Sequence, residues 1–396
     1  MDIRLTPGQQ AVAAKLADVF NEQLNPSIRR LAERGHGALS DGGGASLSET
    51  AVSARELVWQ TLAEVGALRL AVPSHAGGLG LGQGALATAS ELMGQALYQS
   101  PFFDTVTATE LLLLLETGDQ AAHGALLERV GNGQCRIALA AREDGAASPA
   151  APALLAVSDD RRTVTARRRF VPFVTEVDYL LLAGTTSEGV ALALVPREQD
   201  GVTVRRHDDI GRGDLYTVGL DQARVAGDGW LGAGGQVAQA YQAALTNARI
   251  RQAAYLVGLC QGALDLTVSH AKRRNQFSQP IARFQSVAFR LAALATRTEA
   301  VRHLTYLAAW EVDRGRDARL TATQSLVLAG DLAREASAEA VQLHGAFGMS
   351  DQADAQLLFR RAALDSIWLG TPTQLRAEAA EHLSTHLRTA LVGHAV

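Results

Sequence analysis

Cysteine, methionine and aromatic residues are all scarce in this chain: two Cys, three Met and 5 % Phe, Trp and Tyr among 396 residues. Cys135 and Cys260 are too few for a disulfide framework, and no Cys/His set shows metal-ligand spacing. A stapled fold and a metal site are set aside, and both thiols are expected to be reduced and buried. Long apolar runs are missing as well. Stretches such as Leu111 to Leu115 fall far short of the roughly 20 residues that a membrane-spanning helix needs. Met1 to Gln10 lacks the apolar segment of a secretory signal, so a cytoplasmic location is expected. A formal charge of -4, with Arg167-Arg168-Arg169 as the densest basic run, argues against a nucleic-acid or anionic-membrane surface.

What is present is 47 % hydrophobic composition, enough to build the cores of two or three domains. Thr6-Pro7-x-Gln9 supplies an N-cap, a proline at the first helical position and a reciprocal partner, and Val12, Leu16 and Val19 follow at helical spacing. The Gly- and Ser-rich stretch Gly35 to Ser48 reads as a mobile loop rather than a phosphate cradle, since no Gly-Lys-Ser/Thr follows it. Helical patterning resumes over Leu57 to Val65, stops at Gly66, and returns from Gly84 to Gln99.

Between about Ile137 and Val225 the period falls to two. Thr163 to Thr165, Tyr179 to Ala183, Val190 to Val195, Val202 to Val204 and Leu215 to Leu220 are short β-rich runs parted by Asp/Gly turns. After Gly235 the helical period returns, first over Val237 to Lys272 with only Gly258 and Gly262 as breakers. A second stripe then follows through Val287, Leu291, Leu294, Val301 and Leu304. The expected class is a multidomain α+β protein: a helical domain over 1–133, a small antiparallel β-barrel or sandwich over 134–232, and a C-terminal four-helix bundle over 233–396.

Five separated patches carry chemistry. The run RNQFSQPIARFQ, from Arg274 to Gln285, resembles the flavin-contacting signature of acyl-CoA dehydrogenases. Val341-Gln342-Leu343-His344-Gly345-Ala346-Phe347-Gly348 is similar to that family's Q-x-x-G-G-x-G segment, with Ala346 at the second glycine. Phe359-Arg360 through Ile367-Trp368-Leu369-Gly370-Thr371 aligns with its C-terminal Y-R-D...I-Y-E-G-T. Ala140 to Ser148 is similar to its T-E-P-G-x-G-S loop, with Arg142 in place of threonine, and Phe170-Val171-Pro172 stands where W-I-T or W-I-S is common.

The resemblance implies the acyl-CoA dehydrogenase fold and FAD as cofactor. It assigns Arg274, Phe277, Phe284, Gln285, Gln342, Gly345, Ala346, Thr371, Thr373, Phe170, Ser148 and Arg142 to the cofactor, several of them reaching the FAD of a neighbouring subunit. A guanidinium suits a diphosphate because its planar donors bond two oxygens at once. His344, beside the glycine turn, reads as structural.

Desaturation of an acyl thioester needs a base for the α-proton while the flavin takes the β-hydride, and a carboxylate must lie within hydrogen-bond reach of that proton. Leu369 stands at the family's glutamate position, and the alternative location on the long helix offers only Ala248 and Tyr255. Asp365, four residues before Leu369, and Tyr255 are the weak catalytic candidates; a surface or Arg-paired role suits Asp365 better.

The resemblance implies an acyl-CoA or acyl-carrier-protein substrate and an electron-transfer flavoprotein as acceptor. The assembly implied is a homodimer, a homotetramer or a heterotetramer with a paralogous subunit that supplies the missing base. Two other functions fit the missing glutamate: a flavin-dependent monooxygenase, in which Arg142 binds a substrate carboxylate or phosphate, and a catalytically inert structural subunit.

Overall fold

The computed structural model describes residues 5–23, 49–115, 120–142, 152–207 and 214–393; the Gly35 to Ser48 stretch lies outside the described residues. The chain divides into two compact units. One comprises Met1–Ala13, Gln83–Tyr98 and Arg249–Val396, the other Ala14–Gly82 and Gln99–Ala248.

Helix α1 (Pro7–Gln23) begins where the sequence places it. The Gln9 N–H donates to Thr6 Oγ1 at 3.3 Å and the Thr6 N–H donates to Gln9 Oε1 at 2.9 Å, so two otherwise unpaired donors of the first turn are satisfied reciprocally. Helix α2 (Glu49–Glu64) gives way to Gly66 in a left-handed conformation, φ 80°.

In the second unit two four-stranded sheets face each other. One sheet runs β1 (Ile137–Ala140), β4 (Tyr179–Thr186), β5 (Gly189–Pro196), β8 (Trp230–Ala233) in spatial order. The other runs β2 (Ala156–Val157), β3 (Thr163–Pro172), β7 (Leu215–Arg224), β6 (Val202–Arg206). The period of two shows directly in β4: Leu180 and Leu182 enter the core between the sheets, while Leu181 and Ala183 enter a second core. That second core is completed by α4 (Phe102–Leu115), α5 (Gln120–Gly131) and residues 237–244 of the following helix. A strand buried on both faces explains why β4 reads as a continuous apolar run.

One pairing departs from the antiparallel expectation: β1 runs parallel to β4, Ile137 opposite Tyr179. Two strands of the opposite sheet intervene between them in sequence, so the chain returns to this sheet in its original direction. The other edge of β1 is covered by α4. Thr105 Oγ1 accepts the Ile137 N–H at 3.0 Å and donates to its carbonyl, and Asp104 Oδ2 accepts the Leu139 N–H at 2.9 Å. Side chains thus satisfy an edge that would otherwise expose a ladder.

The first unit is helical. Helix α6 (Gly235–Arg273) gives its residues from Arg249 onward to it, joined by α3 (Gly82–Gln95), α7 (Gln285–Asp313), α8 (Arg319–His344), α9 (Asp354–Asp365) and α10 (Pro372–Gly393). Helix α8 packs against α7, α9 and α10. Asp313, closing α7, accepts the N–H groups of Gln83 and Gly84 at 2.6 and 3.0 Å and so caps α3.

Helices α3 and α6 meet with almost no space between their backbones. A Cβ on Gly94 would lie 1.8 Å from the Tyr255 carbonyl oxygen, and one on Gly258 would lie 1.9 Å from that of Glu91. The two glycines are therefore contact points, and neither breaks its helix. Gly258→Ala is expected to destabilise by about 3 kcal/mol or more through overpacking against backbone. Gly124→Ala on α5, where a Cβ meets nothing within 4 Å, should stabilise by about 0.5–1 kcal/mol. Urea unfolding of the two variants checks the contrast, and equal shifts would contradict the close crossing.

Candidate functional site

Helix α6 ends at Arg273, and the chain then folds into a hairpin, β9 (Asn275–Gln276) and β10 (Gln279–Pro280). Its two turn residues, Phe277 and Ser278, have φ of 52° and 64°. Two left-handed central residues match the twist of a hairpin, but Asn and Gly are the usual occupants. A bulky side chain in that region is held there at a cost, a pattern that clusters at ligand clamps. The Phe277 ring is 87 % exposed. It touches Phe284 edge-on, ring centroids 6.3 Å apart, and Phe284 is half-buried at the start of α7, followed by exposed Gln285.

Arg274 is exposed at the base of this hairpin. Its N–H donates to the His270 carbonyl and its own carbonyl accepts the Ile281 N–H, each at 2.9 Å. The backbone is thus fixed on both sides while the guanidinium faces solvent.

The second patch closes α8. Gln342 is exposed in its last turn, and Gly345 ends the helix at φ 66°, ψ -148°, a region open in practice only to glycine. Nothing lies within 4 Å of where its Cβ would stand, so backbone conformation alone requires Gly345. Ala346 is exposed beside it. Gly348 differs: a Cβ there would meet the Val341 carbonyl at 2.7 Å, so its missing side chain serves the chain's own turn. His344 is buried and stacks on His270, ring centroids 4.0 Å apart, which brings the second patch against the Arg274 hairpin.

The third patch holds the catalytic candidates. Leu369 is 8 % exposed. Asp365 is buried in a two-point ion pair, Arg361 Nη2 donating to Oδ1 at 2.7 Å and Nε to Oδ2 at 3.3 Å; its carbonyl accepts Gln252 Nε2 at 2.9 Å. Tyr255 is buried on α6, where its carbonyl forms the floor under Gly94. Ala248 is buried at the end of the other unit. Thr371 repeats the device that starts α1: the Gln374 N–H donates to Thr371 Oγ1 at 3.4 Å and the Thr371 N–H to Gln374 Oε1 at 3.0 Å. Thr371 and Thr373 are both exposed at the N-terminus of α10.

In the second unit, Phe170 sits at an irregularity of β3, where its pairing with β7 shifts register between Arg168 and Val171. It has φ 55° and is 39 % exposed. The Arg169 guanidinium and the His207 ring each lie 5.0 Å from its centroid, and His207 Nε2 meets Thr217 Oγ1 at 2.8 Å. The Arg142 carbonyl accepts the Arg169 N–H at 2.8 Å, tying Arg142 to this platform through the backbone. Burial lowers the Arg142 pKa to about 10, opposed by the nearby Tyr241 and Asp104. Ser148 lies outside the described residues.

Sequence reasoning missed His270, His207 and Arg361. Only Arg361 left a signal, its spacing of four from Asp365 on a helix.

Residues 235–384 match the family described as "Acyl-CoA dehydrogenase, C-terminal domain". The chain is 26 % identical over 339 residues to a 3-(aryl)acrylate reductase of Clostridium sporogenes, covering 82 % of this chain and 89 % of that one. It is 27 % identical over 269 residues to subunit CarC of the caffeyl-CoA reductase-Etf complex of Acetobacterium woodii, covering 65 % and 71 %. Butyryl-CoA dehydrogenase from Megasphaera elsdenii shares the fold with a TM-score of 0.82 at 22 % identity, over 97 % of this chain and 100 % of that one. A chain of the ChsE4-ChsE5 complex from Mycobacterium tuberculosis does so with a TM-score of 0.82 at 21 % identity, over 97 % and 99 %.

Proposed function

We propose that this chain, whose residues 235–384 match the acyl-CoA dehydrogenase C-terminal domain and which shares the fold of butyryl-CoA dehydrogenase, is a FAD-binding subunit of an acyl-thioester dehydrogenase that carries no base of its own. The observation that carries this reading is the Arg274 hairpin: an exposed guanidinium beside a phenylalanine that is 87 % exposed in a left-handed conformation. A side chain held so has a use beyond its own chain, and a neighbouring subunit's FAD is the partner the resemblance names.

The donor set fits that cofactor. Arg274 offers two parallel N–H groups to a diphosphate, exposed Gln342 offers an amide, and Gly345 presents bare backbone. Thr371 and Thr373 add hydroxyls at a helix N-terminus, where the helix dipole favours anions. Taken by itself, the other unit carries Phe170, backed by His207, with a half-exposed ring face suited to a planar group. Bound FAD would supply the hydride acceptor for an α,β-desaturation.

At the positions where the resemblance puts the base, no carboxylate stands. Leu369 and Ala248 are hydrocarbon, Tyr255 offers a phenol and not a carboxylate, and Asp365 is committed to Arg361. The base then comes from a paralogous partner that keeps its glutamate, or the partner houses the competent site while this chain lends Arg274 and Phe277 across the interface. The ChsE4-ChsE5 neighbour and the Etf-complex subunit among the relatives support an assembly of unlike chains with an electron-transfer flavoprotein as redox partner; the desaturation proposed here would make that flavoprotein the acceptor.

Purification alone and after co-expression with such a partner tests the cofactor half of the reading: FAD should accompany the protein in at least one form, and a colourless protein in both would refute it. For the base, Leu369→Glu in FAD-loaded protein should raise acyl-CoA desaturation by about 10²- to 10⁴-fold, the usual contribution of a positioned base. Leu369→Gln, of equal bulk, should not. No gain in the glutamate variant with FAD retained would mean that the pocket has diverged beyond this one position.

A further inference from the structure

Two imidazoles lie face to face where two stretches assigned to FAD meet. His270 is in the last turn of α6 and His344 is the last residue of α8; their ring planes are 28° apart at a centroid separation of 4.0 Å. Each leads directly into one stretch. The His270 carbonyl accepts the Arg274 N–H, and Gly345 follows His344. His344 Nδ1 lies 2.7 Å from the Ala340 carbonyl. A carbonyl can only accept, so that nitrogen carries the hydrogen. Gly348 closes over His344, a Cβ there coming 2.8 Å from His344 Cβ. His270 Nε2 is buried without a hydrogen-bond partner.

Such a stack suits neutral rings. Like charges at this separation repel, and a protonated His270 would bury an unpaired N–H. Burial first, then His344 across the stack, then Arg274 and Arg273 at its own helix end, hold the His270 pKa below its ordinary value, against a backbone bond with Leu343 that favours the charge.

We propose that His270 and His344 are positioning residues: while His270 is neutral, their stack holds the Arg274–Phe277 hairpin and the Gly345 turn in one arrangement, and protonation of His270 releases it. The consequence for FAD rests on the function proposed above; the hold itself concerns only this chain's segments. The sign follows from the lowered pKa. A ring that binds its proton less tightly when stacked favours the stack fully at a pH above the ordinary histidine value, about 6.5. That preference is lost as pH falls through and below it.

The test combines FAD affinity of the loaded protein with amide hydrogen exchange of residues 274–281 and 345–349, corrected for intrinsic rates, with and without FAD. In the wild type the FAD dissociation constant should rise by up to about tenfold per pH unit below about 6.5, and both segments should exchange faster. His270→Phe keeps a flat ring with no proton to gain; it should match the wild type at neutral pH and stay flat on acidification. His270→Tyr replaces it if it fails to fold. His270→Ala should exchange faster at every pH. An acid slope in His270→Phe equal to the wild type's, or unchanged exchange in His270→Ala, would overturn the proposal. If the chain takes up no FAD in any form, the flavin reading fails and the exchange data alone decide this one.

Discussion

Arg361→Ala should destabilise the protein by about 3 to 5 kcal/mol, the cost of breaking a buried ion pair from one side. Arg361 and Asp365 are 4 % and 6 % exposed, and the guanidinium meets both carboxylate oxygens. Removing it leaves a buried carboxylate without its guanidinium, whereas removing both charges does not. Arg361→Leu with Asp365→Leu should therefore recover most of the loss, a non-additivity expected of groups in contact. Urea unfolding of the single and double variants reads the difference. A loss below about 1 kcal/mol, in the range of a surface pair, would mean that Asp365 is available for other work, and its candidacy as a base would revive.

Arg274→Ala should weaken FAD binding by about 1.5 to 3 kcal/mol, the worth of a hydrogen bond to a charged group. The guanidinium is exposed while the Arg274 backbone is bonded to His270 and Ile281. The substitution should therefore leave the FAD-free protein within about 0.5 kcal/mol of wild-type stability. Arg274→Lys should fall between, since an ammonium keeps the charge and loses the two-point geometry. Equilibrium titration with FAD under matched salt measures the affinities and urea unfolding of the FAD-free proteins the stability; unchanged retention in Arg274→Ala would remove the diphosphate role.

How far the sequence foretells this molecule depends on how local each cause is. Thr6-Pro7-x-Gln9 is a complete instruction within four residues, and α1 starts on it; the same pattern at Thr371 marks the start of α10 just as plainly. The change of period near Ile137 locates the β region because alternation is set by two faces of one strand. The parallel pairing of β1 with β4 was not legible, since the intervening chain visits another sheet. The helix through Gly258 is legible as continuous, but a sequence cannot show that Glu91 backbone lies against that glycine.

The candidate site divides in the same way. Arg274 and Gln342 stand out as candidates through motif spacing. The stacking of His270 on His344 joins residues far apart in the chain, and the left-handed Phe277 contradicts what a two-residue turn ordinarily selects. Asp365 could be seen to lie one helical turn from Leu369, but its commitment to Arg361 required the packing around it.

The central claim is a FAD site without a resident base, and anaerobic titration of the FAD-loaded protein with acyl-CoA tests it most directly. The chain alone should leave the flavin absorbance unbleached, and its complex with a glutamate-bearing paralogue should bleach it. Full bleaching of the wild-type chain alone would contradict the absence of a base, and no bleaching in the complex would contradict the dehydrogenase reading itself.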